Sequence, residues 1–365
     1  MGIINLHTSK KTFTAINLHY NYIIIGQGIA GTMLAWQLQQ QKQRILIIDN
    51  FDSTTSSQVA AGIYLPITGR RIVKSWMSDV FIPFAEKTYR ELEQLTGEQF
   101  LHPMPVLEIF DSQKTTNEWQ LRAGTDDIGG FVKKFHTKNF SGQVQSDFGA
   151  IELQHTGYVN MSLFLKAMRS YFKQNQLLLE ENFMMADMKV NEKISYKNIS
   201  ADKIIFCEGI AAAHNPYFSH LPYQFSKGEM ITIHCNDLPE DKIINQGIFI
   251  LPLGNHLFKV GSTYEWNNLN TDTTEGAKEK LKEQLQKILR IDFTIVDQIA
   301  SIRPTVKERR PFIGLHPSYP SIGIFNGLGT KGIMLAPYLS QHFNEHLLNG
   351  ESLMSEIDVQ RFSFN

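Results

Sequence analysis

The sequence predicts an α/β fold in which a parallel-sheet domain is interrupted by insertions of antiparallel strands and helix. Three observations carry that expectation. Tyr22-Ile23-Ile24-Ile25 is an apolar run that stops at Gly26-Gln27-Gly28-Ile29-Ala30-Gly31, and a helix-compatible stretch, Thr32 to Gln41, follows at once. A second apolar run, Ile45-Leu46-Ile47-Ile48, ends in Asp49, 18 residues beyond Gly31 (49 − 31). Segments of the same texture return twice further along, separated by stretches with the alternating polarity of exposed sheets.

The glycine turn comes first. Gly26 permits a tight turn, Gly28 lets a pyrophosphate approach the backbone, and Gly31 lets the helix pack close to the strand. The free N–H groups and positive end of that helix would then face phosphates. Asp49 ends the next strand where a ribose hydroxyl would be accepted, and its charge argues against the 2′-phosphate of NADP. Together these make a Rossmann-like dinucleotide-binding unit. Ser53 to Gly62 follows, a small, hydroxylated, glycine-bounded run suited to a loop pressed against a cofactor.

The second such segment is roughly 151–215. Gly157-Tyr158-Val159-Asn160 precedes a helix with Leu163, Phe164, Ala167 and Tyr171 on one side, and Lys203 to Gly209 is a short buried strand ending in glycine. The third is roughly 300–348: Arg303-Pro304, Arg310-Pro311-Phe312-Ile313-Gly314, a strand at Ile322 to Phe325, and the loop Asn326-Gly327-Leu328-Gly329-Thr330-Lys331-Gly332. A helix with Leu335, Leu339, Phe343 and Leu347 on one stripe closes it, with Pro337 expected near its first turn, where a missing N–H costs least. Between these pieces, 84–148 opens with a helix (Phe84 to Leu95), and 221–299 carries strands at Met230 to His234, Gly247 to Leu251 and His256 to Thr263 before an amphipathic helix at Asp272 to Ile291. The expected division is 1–83 with 149–220 and 300–365 for the dinucleotide, and 84–148 with 221–299 for a substrate.

Composition bounds the rest. The chain has 365 residues, 42% hydrophobic, enough for a large core and two interleaved domains. Its 35 Lys+Arg against 36 Asp+Glu leave no footprint for nucleic acid. The two cysteines, Cys207 and Cys235, show no metal-ligand spacing, so no metal is expected, and they fit a reducing, cytoplasmic setting. No apolar run has signal-peptide or membrane-spanning length.

The glycine turn, the Ser56-Ser57-Gln58-Val59-Ala60-Ala61-Gly62 loop, the Ile302-Arg303-Pro304 and Arg310-Pro311-Phe312-Ile313-Gly314 segment, and the Gly327-Leu328-Gly329-Thr330-Lys331-Gly332-Ile333-Met334-Leu335-Ala336-Pro337 ending occur in that order. In this order and over nearly the whole chain, they resemble the D-amino-acid oxidase-like FAD oxidoreductases, with glycine oxidase, monomeric sarcosine oxidase and a tRNA-modifying oxidase domain as nearest kinds. The resemblance implies FAD, bound in an extended form. It also implies oxidation of an amine carbon beside a carboxylate: hydride passes to flavin N5, the imine is hydrolysed, and oxygen reoxidises the flavin. For the cofactor it implies Gly26, Gly28, Ile29, Ala30, Gly31, Asp49, Asn50, Ser56, Ser57, Ala60, Ala61, Gly62, Ile63, Val190, Glu208, Gly209 and the run Gly327, Leu328, Gly329, Thr330, Lys331, Gly332, Ile333.

For the substrate, Arg303 resembles the family arginine that clamps a carboxylate, for which a planar two-donor fork is suited. The competing reading is an ion pair with Glu308. The Gly327 to Gly332 loop resembles the one that aims a helix N-terminus at the flavin N1–C2=O edge. Lys259, in Phe258-Lys259-Val260-Gly261, resembles the sarcosine oxidase lysine that activates oxygen; alternation puts it opposite Phe258 and Val260, toward the ring or toward water. Phe249 stands where glycine oxidase has a tyrosine, which argues against glycine itself. The absence of a cysteine near Arg303 to Arg310 implies non-covalent FAD. Tyr64, Arg70 and Lys331 complete the candidate substrate-side residues. The expected activity is oxidation of a small amino acid or N-alkyl amino acid. The alternatives are a tRNA-modifying oxidase acting on carboxymethylaminomethyl uridine, for which the partner methyltransferase segment and basic surface are missing, and a non-catalytic FAD-binding module.

Overall fold

The computed structural model describes residues 18–68 and 72–364. The strand Leu18–Ile25 is central to an eight-stranded sheet. It pairs in parallel with Ile45–Ile48 on one side and Ile199–Phe206 on the other, and Leu178–Leu179 extends the sheet beyond Ile45–Ile48. On its far side Ile199–Phe206 is shared. Its first half pairs antiparallel with Ile194–Tyr196, and its second half pairs parallel with Tyr319–Asn326. The central strands are apolar on both faces because both faces are covered. One face packs on the helices Ile29–Gln40, Ser78–Thr96, Met161–Gln174 and Gly332–Asn349, and the other on Tyr196, Phe218 and Leu221.

A second eight-stranded sheet runs in the order Thr294–Arg303, Ser226–His234, Leu257–Gly261, Phe249–Gly254, Ile243–Asn245, Val106–Ile109, Ala150–Leu153, Val132–His136. Neighbours are antiparallel except Ile243–Asn245 with Val106–Ile109. The helix Glu275–Ile288 seals one face through Leu281, Leu285 and Ile288. The opposite face looks onto the first domain.

The elements move the seams expected at 84, 149 and 300. The helix begins at Ser78, not Phe84, and its Phe81, Ile82, Ala85 and Tyr89 belong to the first core. Ala150–Leu153 is a strand of the second sheet, as is Thr294–Arg303, which passes through residue 300 without a break. Composition marked changes of texture, whereas pairing partners decide which body a segment joins. The short helix Ser56–Val59 sits inside the predicted cofactor loop.

Pro337 is in the second turn of Gly332–Asn349 rather than the first. At that position it cannot supply the N–H that would serve the carbonyl of Ile333, four residues earlier. Tyr89, 1% exposed, donates its hydroxyl to that carbonyl at 3.0 Å, so one helix repairs a break in another. Tyr89→Phe should therefore leave a buried acceptor unpaired and destabilise the fold by about 1–3 kcal/mol. Urea unfolding reads this, and an unchanged midpoint would refute the repair.

Candidate active site

The two sheets enclose a cleft of about 780 Å³. At one end is the glycine turn. Gly28 caps the helix Ile29–Gln40, whose first-turn N–H groups have no intrahelical partner, and Ser57 Oγ accepts the N–H of Ile29 at 3.2 Å. Asp49 is fixed at this end: Oδ1 accepts the backbone N–H of Gln27 at 2.8 Å, and Oδ2 accepts Arg169 Nη1 at 2.6 Å. Arg169 also donates to Gln27 Oε1 at 2.9 Å and pairs with Glu180 at 3.0 Å. Sequence reasoning missed Arg169. The signal was a charge immediately after the buried Leu165, Ala167 and Met168 of an amphipathic helix, and nothing in the sequence pairs it with Asp49.

Of the residues expected at the cofactor, Gly26, Gly28, Ile29, Ala30, Asp49, Ser56, Ser57, Ala60, Ala61, Gly62, Ile63, Glu208, Gly209, Leu328, Gly329, Thr330, Lys331, Gly332 and Ile333 line the cleft. Four do not. Gly31 packs behind the turn, where a Cβ would meet the Gly26 carbonyl oxygen at 1.9 Å. Gly327 packs on Val306 and Phe312. Asn50 is exposed, its neighbour Asp49 holding the inward position. Val190 lies in the antiparallel hairpin Met188–Val190 with Ile194–Tyr196, away from the cleft wall. The donor set fits an extended dinucleotide: free helix N–H groups, small residues that leave room, and a strand-end carboxylate.

At the other end, Arg303 lies over Gly228, where a Cβ would stand 1.8 Å from Nη2. Nη2 donates to Ser262 Oγ at 2.7 Å and to the Thr263 carbonyl at 3.3 Å, and Nη1 to the Lys227 carbonyl at 3.4 Å. The guanidinium stacks on Tyr264, 4.5 Å from the ring centroid. Glu308, the competing partner, pairs with Arg361 at 3.7 Å instead. Among the described residues Arg303 has no carboxylate partner. Phe249 lines the cleft beside Gly261 and Met230.

Tyr64 presents its ring to the cleft, but its hydroxyl donates to Glu86 at 2.8 Å, which takes it from a substrate. Lys259 does not point to water. Phe258 and Val260 enter the core beneath the sheet, while Lys259 turns the other way and lies 3.5 Å from the Val59 carbonyl, under the cofactor loop and behind the cleft wall. Burial pushes its pKa down. Arg70 lies outside the described residues. Lys331 donates to Thr68 Oγ1 at 3.2 Å and Ser75 Oγ at 3.0 Å, and burial together with Arg309 and Arg310 pushes its pKa down to about 8.

Two buried acids flank the cleft. Glu208, beside the glycine turn, accepts from Asn215 at 2.8 Å. Glu108 accepts from the cleft-lining Asn245 at 2.5 Å. One amide donor each does not replace water, so burial raises both carboxyls from 4.5 to about 7.

A family model described as FAD dependent oxidoreductase matches residues 21–345. The glycine oxidase of Bacillus subtilis is 22% identical over 356 residues, covering 91% of this chain and 94% of its own. Two solved structures superpose with TM-scores of 0.78. They are glycine oxidase from Bacillus cereus (16% identity, 91% and 96% of the two chains) and iminodiacetate oxidase from Chelativorans sp. BNC1 (19% identity, 94% and 98%). Among the described residues no helix is long and apolar enough to cross a membrane.

The two acids make a pH prediction. A carboxyl whose folded pKa lies above its unfolded value of 4.5 favours the fold below pH 4.5, and that contribution is lost as pH rises through about 7. The shift corresponds to roughly 3 kcal/mol per group at most. His102, His316 and His342, whose pKa values burial lowers, act in the opposite sense, so the observable is a difference. The flavin-free Glu108→Gln/Glu208→Gln protein should gain stability over wild type between pH 5 and pH 8 by urea unfolding. Parallel pH profiles would refute the assignment.

Proposed function

The chain belongs to the FAD-dependent oxidoreductase family, and on that premise we propose that it oxidises the amine-bearing carbon of a small amino acid or N-alkyl amino acid. FAD, bound along the cleft without a covalent link, supplies the hydride acceptor; oxygen is the proposed final acceptor. Glycine and iminodiacetate, the compounds named for two of the relatives, both carry an amine carbon next to a carboxylate.

The observation that carries this reading is Arg303. A guanidinium has five N–H donors. Three bonds, to Lys227, Ser262 and Thr263, hold this one in place, which leaves two donors for an incoming anion. The Tyr264 ring fixes its plane, and Gly228 gives it room to lie against the sheet. The two donors left, Nε–H and one on Nη1, are fixed in direction, so little conformational freedom remains to be lost when a carboxylate accepts from the guanidinium. Phe249 and Met230 make the neighbouring wall apolar, which orients the amine end by exclusion and keeps water from it. Neither Phe249, which has no hydroxyl, nor Tyr64, whose hydroxyl is committed to Glu86, offers the substrate's amine a phenolic partner.

Anaerobic mixing with a panel of amino acids and N-alkyl amino acids tests the proposal: at least one should bleach the flavin. Failure of the whole panel, with bleaching by a carboxymethylaminomethyl-modified tRNA, would reverse it. Arg303→Ala should lower kcat/KM for that substrate at least ~100-fold, chiefly through KM. For Lys259, whose place under the cofactor loop suits electrostatic activation of oxygen in its protonated form, Lys259→Met should slow reoxidation by oxygen at least ~10-fold while leaving anaerobic reduction within a few-fold. An unchanged reoxidation rate removes that role.

A further inference from the structure

The mechanism proposed above uses two cations, Arg303 for the substrate and Lys259 for oxygen, and leaves a third unexplained. Lys331 is half-buried in the cleft wall, and its ammonium group rests on two neutral hydroxyls, Thr68 Oγ1 at 3.2 Å and Ser75 Oγ at 3.0 Å. Ser75 is itself 3% exposed and tied to the Leu65 carbonyl at 3.2 Å, so this cradle is part of the folded frame rather than a chance surface contact. An ammonium has three donors, and the cradle takes two. Among the described residues no acid pairs with Lys331. The charges acting on it are Arg309 and Arg310, of the same sign, and Arg310 is held in place over the Trp76 ring at 4.3 Å.

The acids of the cleft lie elsewhere. Asp49 is neutralised by Arg169 at the nucleotide end, Asp52 accepts from Thr54 in the cofactor loop, Glu208 sits beside the glycine turn with Asn215, and Glu108 is bonded to Asn245. A desolvated ammonium with hydroxyl partners, cationic neighbours and a free donor lacks its counter-anion. The side chain runs toward the Ile67–Thr68 strand and Ser75, close in sequence to the cleft-lining Tyr64 and Leu65. The helix N-terminus at Gly332 and Ile333 is left to serve the cofactor.

From this we infer that Lys331 determines specificity by binding a second carboxylate of the substrate, so that the amine oxidised is a dicarboxylic one held between Arg303 and Lys331. The inference rests on the reading of Arg303 given above, and it assigns the substrate a class: an amine with one carboxylate beside the reacting carbon and another at its far end.

Binding can be tested without turnover. Malonate, succinate and glutarate would be titrated into the FAD-loaded protein against acetate, propionate and butyrate, with perturbation of the flavin absorbance as the readout. At least one diacid should bind roughly 10- to 100-fold tighter than its monoacid counterpart. In Lys331→Met that ratio should fall below about threefold, Lys331→Arg should restore part of it, and Ser75→Ala, which leaves the ammonium but loosens its cradle, should give an intermediate ratio. Arg303→Ala should weaken both classes. A wild-type protein with no diacid preference overturns the inference. So does a preference that survives Lys331→Met, or a Lys331→Met effect confined to the flavin reduction potential. If Lys331→Met fails to retain FAD, the Ser75→Ala and Lys331→Arg ratios decide. Diacid preference in a protein that no amine reduces would sink the oxidase proposal and leave this site standing; amine reduction without diacid preference would do the reverse.

Discussion

One close approach anchors the cleft. A Cβ on Gly31 would fall 1.9 Å from the Gly26 carbonyl oxygen and 3.3 Å from Cys207 Cβ, so the first turn of the helix Ile29–Gln40 can lie against the ends of two adjacent strands only if residue 31 has no side chain. That contact aims the helix N-terminus along the cleft. It also fixes Gln27, whose N–H holds Asp49, and through Asp49 the position of Arg169. A larger residue at 31 would tilt the helix and misplace all three together, because the carbonyl it meets is backbone and cannot rotate away. A second contact of the same kind, Gly62 against the Val159 carbonyl, pins the end of the cofactor loop to the strand Gly157–Val159.

The distant parts of the sequence reach this anchor through sheet pairing. Tyr319–Asn326 joins the sheet beside Ile199–Phe206 in parallel register, so the loop leaving it at Gly327 comes out next to the glycine turn. Gly332 packs within 3.3 Å of Ile29 when its Cβ position is considered. The second sheet contributes through register as well. Ser226 pairs with Arg303, and the bare Gly228 two residues on provides the surface on which the guanidinium lies. Lys227 and Glu229 alternate to the other side, where their buried pairing at 3.6 Å, with Asn270 and Thr274, ties the Glu265–Thr274 segment to the same strand. Arg303 is thus positioned by backbone carbonyls and a serine, which orient it without neutralising it.

The parts of this arrangement that were legible in the sequence share one property: they are local. The glycine turn, the Asp49 strand and the amphipathic helices Met161–Gln174 and Glu275–Ile288 each write their own periodicity or turn chemistry into consecutive residues. What escaped depends on a partner far away in the chain. Pro337 reads as a first-turn proline until Tyr89, supplied by a helix some 250 residues earlier (337 − 89), is seen to take over the orphaned Ile333 carbonyl. Arg303 reads equally well as a partner of Glu308, and only the fold shows that acid occupied by Arg361. Alternation gave Lys259 the correct face but not its destination, because the Ser56–Val59 helix above that face is 200 residues away in sequence. Arg169 shows the same limit.

The charges follow a pattern that the balanced composition hides. With 35 basic and 36 acidic residues the chain as a whole is nearly neutral, yet the cleft is polarised. Of its carboxylates, Asp49 and Glu208 lie by the glycine turn and Asp52 in the cofactor loop, while its uncompensated cations, Arg303 and Lys331, share the lining with Phe249 and Tyr64. Glu108, bonded to Asn245 beside Phe249, is the exception, and burial raises its pKa to about 7. Neutral carbonyls and hydroxyls hold both cations, and this choice has a physical consequence. A carboxylate partner would stabilise the empty protein more, but it would have to be displaced before an anion could bind, and the binding energy would be lost to that exchange. Hydroxyl and carbonyl partners fix direction at a lower electrostatic cost to the incoming ligand. The same polarisation would favour negative charge accumulating on any group bound at that end, since positive potential in a water-poor cleft is screened little by salt. The desolvation of two unpaired cations therefore destabilises the ligand-free fold; loss of a proton relieves it at Lys331, whose pKa is pushed down to about 8, and an entering anion would relieve it at both.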